Sequence, residues 1–248
     1  MSPDVDIELW TRRYHPAPEA AVQLVCFPHA GGSASFYFPV SKALSPGVDV
    51  IAVQYPGRQD RRSEPCLDSV GELADALVAP LLRYRDRPMA FFGHSMGASV
   101  AFEVACRLEA RDVVPIVVFA SGRRAPSRRR DETVHQRDDD GLLAEIRSLS
   151  GTDAQILGNE EMLRMILPAI RSDYRAAETY RWAGTGPIAA PIHVHVGETD
   201  PKVSFEEAES WQVHTTGRTT VTTHPGGHFY LNDRAPQLIR AISDALPR

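Results

Sequence analysis

The stretch "FFGHSMGASVAFEVA", residues 91–105, decides the fold. It begins at the end of the apolar run "PMAFF", passes through a serine bracketed by Gly93 and Gly97, and continues as a small-residue helical pattern to Ala110. Gly97, Ala101 and Ala105 fall on one face of that helix, which lets it approach a sheet closely. Glycines on both sides of Ser95 leave room for a strained turn that lifts its Oγ above the sheet edge. A glycine-flanked serine alone is also an ordinary turn. Between a strand and a helix it reads as a nucleophile.

Outward from this point, short β-branched runs recur: "VQLVCF" (22–27), "VDVIAVQY" (48–55), "MAFF" (89–92), "VPIVVFA" (114–120), "PIHVHV" (191–196) and "TTVTTH" (219–224). Several are nearly continuous apolar runs, as expected of strands covered on both faces. Helical patterns lie between them at 35–44, 69–82, 97–110, 204–213 and 235–246. This alternation predicts an α/β fold, a mostly parallel central sheet flanked by helices. No linker-like composition divides residues 1–248, so a single domain is expected.

One interval breaks the rhythm. Residues at about 126–182 open with "PSRRRDETVHQRDDD" and turn helical in "GLLAEIRSLSG" and "NEEMLRMILPAIRSDYRAAETYRW". Asp140 or a neighbour is placed to cap the first helix and Asn159 the second. Leu142, Leu143, Ile146 and Leu149 form one apolar stripe; Leu163, Ile166, Leu167, Ile170 and Tyr174 form another. The pair predicts a helical lid insertion over one end of the sheet. Helices that merely thicken the domain are the alternative.

A chain of 248 residues, 43% hydrophobic and 24% charged, is long enough for one large domain with a full core. A net charge of −5 gives no reason to expect nucleic acid or an anionic membrane as partner. The opening "MSPDVDIELWTRRYHP" carries early acids and no apolar core, unlike a signal peptide, and no apolar run approaches bilayer length. Cys26, Cys66 and Cys106 are odd in number and far apart, without metal or disulfide spacing. They read as buried, reduced thiols of a cytoplasmic protein.

A serine nucleophile needs a base and an orienting acid, here expected in the chain order Ser, acid, His. His29 and His94 precede Ser95, His135 falls in the insertion, His193 and His195 alternate within a strand, and His214 lies in or after a helix. That leaves "TTHPGGHFYLND". His224 still belongs to the strand pattern, whereas His228 follows the flexible Pro225-Gly226-Gly227 turn and is the expected base. In "VGETDPKVS" the expected acid is Asp200, before Pro201, with Glu198 as competitor. The alternative acid position after the 114–120 strand, "SGRRAPSRRR", holds no carboxylate until Asp131. The oxyanion hole is expected from the N–H of Met96, after the nucleophile, and from "CFPHAGGSASFY", where Ala30 is the candidate donor.

Taken together, "FPHAGGSASFY", "QYPGRQDRR", "FFGHSMGASVAFEVA", "VGETDPKVS" and "HPGGHFYL" resemble the external (type II) thioesterases of polyketide and nonribosomal peptide synthesis. The resemblance spans nearly the whole chain. It implies the α/β-hydrolase fold with a lid, hydrolysis of acyl groups from the phosphopantetheine arm of acyl or peptidyl carrier proteins, and no metal or cofactor. Motif for motif it assigns Ser95, Asp200 and His228 as triad and Ala30 and Met96 as oxyanion donors. Relatives acting on medium-chain fatty acyl carriers, free-ester carboxylesterases and non-catalytic hydrolase-like modules are the competing readings. Because carrier proteins are generally acidic, a local basic surface is expected. Arg58, Arg61 and Arg62 form one cluster after a strand. Arg123, Arg124, Arg128, Arg129 and Arg130 form another, expected to dock the carrier. A solvated charge run balanced by Asp138, Asp139 and Asp140 is the plainer reading of the second cluster.

Overall fold

The computed structural model describes residues 8–149 and 160–247, so Asn159 and the side chain of Leu163 lie outside the described residues. Its strands are β1 (Thr11–Arg12), β2 (Gln23–Phe27), β3 (Asp49–Val53), β4 (Met89–His94), β5 (Val117–Ser121), β6 (Ile192–Gly197) and β7 (Thr219–His224). They form one sheet in the order β1-β3-β2-β4-β5-β6-β7. All neighbours are parallel except β1, which pairs antiparallel with β3. The helices are α1 (Phe38–Leu44), α2 (Val70–Leu82), α3 (Met96–Glu109), α4 (Asp139–Ser148), α5 (Glu160–Thr179), α6 (Phe205–Glu209), α7 (Tyr230–Asp233) and α8 (Ala235–Ala245). This is the α/β-hydrolase arrangement.

Apolar strands covered on both faces are what the continuous hydrophobic runs require. Successive side chains of a strand point to opposite faces. Val25 and Phe27 of β2, Phe91 of β4 and Val118 of β5 therefore join one core with α2 and α3. Leu24, Cys26, Phe92 and Phe119 join the other, closed by Leu44 of α1 and by Leu238 and Ile242 of α8.

Three local details differ from the sequence expectation. The short β1 carries polar and charged residues and has no periodic signal of its own. β5 begins at Val117 rather than Val114, because Pro115 has no N–H for the ladder. The pattern at 204–213 is two elements: α6, opened by a capping box between Ser204 and Glu207, and a 3₁₀ turn at Ser210–His214 that buries Trp211.

Between β5 and β6 lie α4 and α5. Asp138 caps α4, its side chain accepting from the Gly141 N–H at 2.8 Å. Leu142 and Ile146 of α4 meet Leu167 and Ile170 of α5 and Val134 in a small core of their own. Each fully buried Leu or Ile contributes roughly 1.5–3 kcal/mol. The two helices meet over this small core, and α5 is also tied to the body of the fold, its Ala176 being fully buried in the core shared with α2 and α3. No helix among the described residues is long and apolar enough to cross a membrane.

Candidate active site

Ser95 sits between the last residue of β4 and the first of α3 with φ 54° and ψ −121°. An L-residue pays roughly 1–3 kcal/mol for such backbone. It is held there because the Ser95 N–H donates to the Ser121 carbonyl at 2.8 Å. α3 can follow at once because Gly97 passes against β2: a Cβ there would lie 2.1 Å from the Phe27 carbonyl oxygen. The outcome is a serine whose side chain stands at the C-terminal edge of the sheet, half-buried rather than buried.

The loops after β6 and β7 bring the other two groups to it. They are stitched together by Glu198 N–H to the His224 carbonyl at 2.8 Å and Thr199 N–H to the Gly226 carbonyl at 3.0 Å. Gly197 allows the crossing, since a Cβ there would meet the Gly227 carbonyl oxygen at 2.2 Å. Asp200 and His228 consequently face each other, with His228 Nδ1 at 2.9 and 3.0 Å from the two Asp200 oxygens. The Lys202 N–H, donating to Asp200 Oδ1 at 2.8 Å, orients the carboxylate. His228 Nε2 lies 3.0 Å from Ser95 Oγ. With Nδ1–H donated to Asp200, Nε2 is left to accept the serine proton.

The competitors are placed elsewhere. Glu198 is exposed. His224 bonds through Nε2 to His195 Nδ1 at 3.0 Å and stacks on Tyr230. The His228 ring packs against the rings of His94 and Phe229. His94 lies 5.0 Å from it, centre to centre, and anchors its own Nδ1 on Ser121 Oγ at 2.9 Å. Burial pushes the His29 pKa down to about 3 and that of His94 well below its ordinary value. Both rings are therefore neutral neighbours.

Two cavities open from this point. A small one, about 50 Å³, is lined by Ser95, His228, Ala30, Gly122, Arg123 and Lys202 among others. A second, about 660 Å³, extends from Ala30 beneath the inserted helices, with Phe36, Ile146, Met165, Ile166 and Ile170 in its wall. His29, Ala30, Leu149, Tyr174 and Phe229 line both. Met96 is the first residue of α3, so its N–H is one of the four at that end without an intrahelical acceptor.

The arginines divide. Arg123 turns inward, donating to Ser99 Oγ at 2.9 Å and to the Ala177 carbonyl at 2.7 Å. Burial first, and then neighbouring Arg124, lower its pKa to about 10. Arg124 is buried against Glu132 and the Lys202 carbonyl. Arg130 makes a two-pronged pair with Glu207. Arg128, bonded to Ser210 Oγ, and Arg129 are exposed and without a carboxylate partner among the described residues. In the first cluster Arg58 and Arg61 are buried and only Arg62 is exposed. The plain charge run thus conceals internal ion pairs. Sequence reasoning missed Asp173 of α5, a fully buried carboxylate that takes Arg58 as partner. Nothing local marks it, because its partners lie more than a hundred residues away.

The family model for the thioesterase domain matches residues 22–246. The chain is 54% identical over 237 residues to the probable cadicidin biosynthesis thioesterase of Streptomyces griseus, covering 96% of this chain and 66% of that protein. It is 53% identical over 245 residues to thioesterase PikA5 of Streptomyces venezuelae, covering 98% and 87%. Among solved structures, the type II thioesterase BorB from the borrelidin biosynthetic cluster superposes with a TM-score of 0.90 at 50% identity, covering 96% of this chain and 98% of that one. The chain belongs to the thioesterase family, with the α/β-hydrolase fold, and groups with its type II members.

Proposed function

We propose that the protein is a serine thioesterase that hydrolyses acyl groups from the phosphopantetheine arm of acyl or peptidyl carrier proteins, clearing stalled units from polyketide or nonribosomal peptide synthases. The observation that carries this reading is the continuous hydrogen-bonded line from Asp200 through His228 to Ser95, opening beside an apolar chamber. Ser95 Oγ attacks the thioester carbonyl as His228 Nε2 takes its proton, and Asp200 stabilises the imidazolium. The N–H groups of Ala30 and Met96 receive the oxyanion, where one donor is typically worth about 10²–10³ in rate. The tetrahedral intermediate collapses, the carbon–sulfur bond breaks, and His228 returns the proton to the departing thiolate. Water, deprotonated by the same imidazole, then releases the acid. The acyl chain occupies the 660 Å³ chamber, so α4 and α5 act as its lid.

Carrier docking rests on the exposed Arg128 and Arg129, since Arg123, Arg124 and Arg130 are engaged within the fold. The three free cysteines, of which Cys26 is buried and Cys66 and Cys106, against expectation, only half-buried, fit a reducing, cytoplasmic compartment, and residues 1–248 work as one domain. The test is a panel of acyl groups loaded on one carrier protein, each compared with its small pantetheine thioester and with a free ester. Carrier-bound acyl groups should be the best substrates. Charge reversal at Arg128 and Arg129 should raise KM for the carrier, weaken its salt dependence, and spare the small thioester. Preference for the free ester would replace the thioesterase reading with a carboxylesterase one. Equal losses on both thioesters would remove the docking role.

A further inference from the structure

The inserted helix α5 reaches into the loop next to Ser95. Asp173, within α5, is fully buried and uses both carboxylate oxygens. Oδ2 accepts from the Gly31 N–H at 2.7 Å and from Arg58 Nη1 at 2.6 Å; Oδ1 accepts from Arg58 Nη2 at 2.8 Å. Arg58 Nη1 also donates to the Gly32 carbonyl at 3.0 Å, and Arg58 Nε to the Pro56 carbonyl at 3.2 Å. One ion pair therefore grips the backbone on both sides of Gly31, immediately after Ala30. Ile170, also on α5, packs directly on Gly31. Burial works to lower the pKa of Arg58, yet the charge and hydrogen bonds of Asp173 raise it above the ordinary value. Arg58 stays charged.

We propose that Asp173 and Arg58 are positioning residues for the oxyanion hole: α5 lends Asp173 to the Gly31 N–H, and this clasp aims the neighbouring Ala30 N–H at the developing oxyanion. The hole is then complete only while α5 is seated, which couples closure of the chamber to catalytic competence. The proposal rests on the serine-thioesterase reading above. Charge-assisted bonds from a buried carboxylate are short and directional, and a misplacement of about 1 Å in such a site costs about 100-fold in rate. The oxyanion exists in the transition state and not in the bound substrate. Loss of the clasp therefore appears in kcat and leaves KM nearly unchanged.

Removing one partner would strand the other charge in the interior, whereas replacing both with apolar side chains is often neutral for stability. The decisive variant is therefore the double Arg58→Met, Asp173→Leu, beside Asp173→Asn, which keeps one acceptor for Gly31. On an acyl-pantetheine thioester the double variant should lose roughly 10–100-fold in kcat with KM within about threefold. It should bind a boronic acid mimic of the tetrahedral intermediate more weakly by a similar factor. Asp173→Asn should lose several-fold in kcat at unchanged KM, and decides the matter if the double variant does not fold. Unchanged kcat in a folded variant, or a raised KM with unchanged kcat and mimic affinity, overturns the proposal. A wild-type protein inactive on every thioester would instead sink the functional reading. In that event the labelling rate of Ser95 by a small phosphonate still tests the clasp, with slower labelling in the double variant expected and an equal rate overturning it.

Discussion

Gly197→Ala tests whether the crossing of two loops sets the geometry of the site. A Cβ at Gly197 would stand 2.2 Å from the Gly227 carbonyl oxygen and 2.6 Å from that of Gly226. Ordinary contact begins at 3.4 Å, so the loop carrying His228 must retreat by about 1.2 Å. Both obstacles are backbone, so no flexible side chain absorbs the shift. His228 has to remain 3.0 Å from Ser95 Oγ and 2.9 Å from Asp200 at once, and a shift of this size forfeits one of the two. Misplacement of about 1 Å costs about 100-fold, and overpacking costs about 1–3 kcal/mol of stability. Steady-state hydrolysis of an acyl-pantetheine thioester should therefore show kcat down roughly 100-fold with KM little changed, beside a modest fall in Tm. Gly47→Ala, whose Cβ would meet only the Leu44 carbonyl at 3.5 Å, is the control. A folded Gly197→Ala protein within about threefold of the wild-type kcat would refute the reasoning.

Two further outcomes follow from the same geometry. Asp200→Asn should lower kcat by about 10³–10⁴, because the imidazole loses both its tautomer and its counter-charge, while Glu198→Gln, altering an exposed side chain, should change it less than twofold; rates on one thioester rank the pair, and the reverse ranking would move the acid to Glu198. His29, His94 and His195 are buried with lowered pKa values, about 3 for His29 and His195. Unfolded, each takes up a proton near pH 6.5. The stability from keeping them neutral is therefore complete above that pH and is lost as pH falls below it, by roughly 1–2 kcal/mol each for His29 and His195 between pH 6.5 and 5. Urea midpoints should fall steeply across that interval; a flat midpoint would contradict it.

Much of this was legible in the sequence because it depends on local chemistry. The continuous apolar runs of β2, β4 and β5 report burial on both faces, and the turn chemistry around Ser95 and before His228 needs only neighbouring residues. Chain order narrowed the candidate base and acid to His228 and Asp200, and the fold sets these two side by side with His228 3.0 Å from Ser95 Oγ. What stayed hidden depends on long-range pairing. The run from Arg123 to Arg130 looks uniformly basic, yet Glu132 and Glu207 neutralise two of its members and Ser99 and the Ala177 carbonyl hold a third. Asp173 looks like one more polar residue on an amphipathic helix until the tertiary fold sets it against Gly31 and Arg58. β1 escaped for a different reason: two polar residues carry no period.

The central claim is that Ser95 carries the acyl group. Acid-quenched protein, taken within the first turnovers on an acyl-pantetheine thioester and digested for mass spectrometry, tests it most directly. The acyl mass should appear on the peptide containing Ser95. It should be absent from a Ser95→Ala protein whose turnover has fallen by several orders of magnitude. An acyl group found on another residue, or a Ser95→Ala variant retaining more than about a tenth of the wild-type rate, would contradict it.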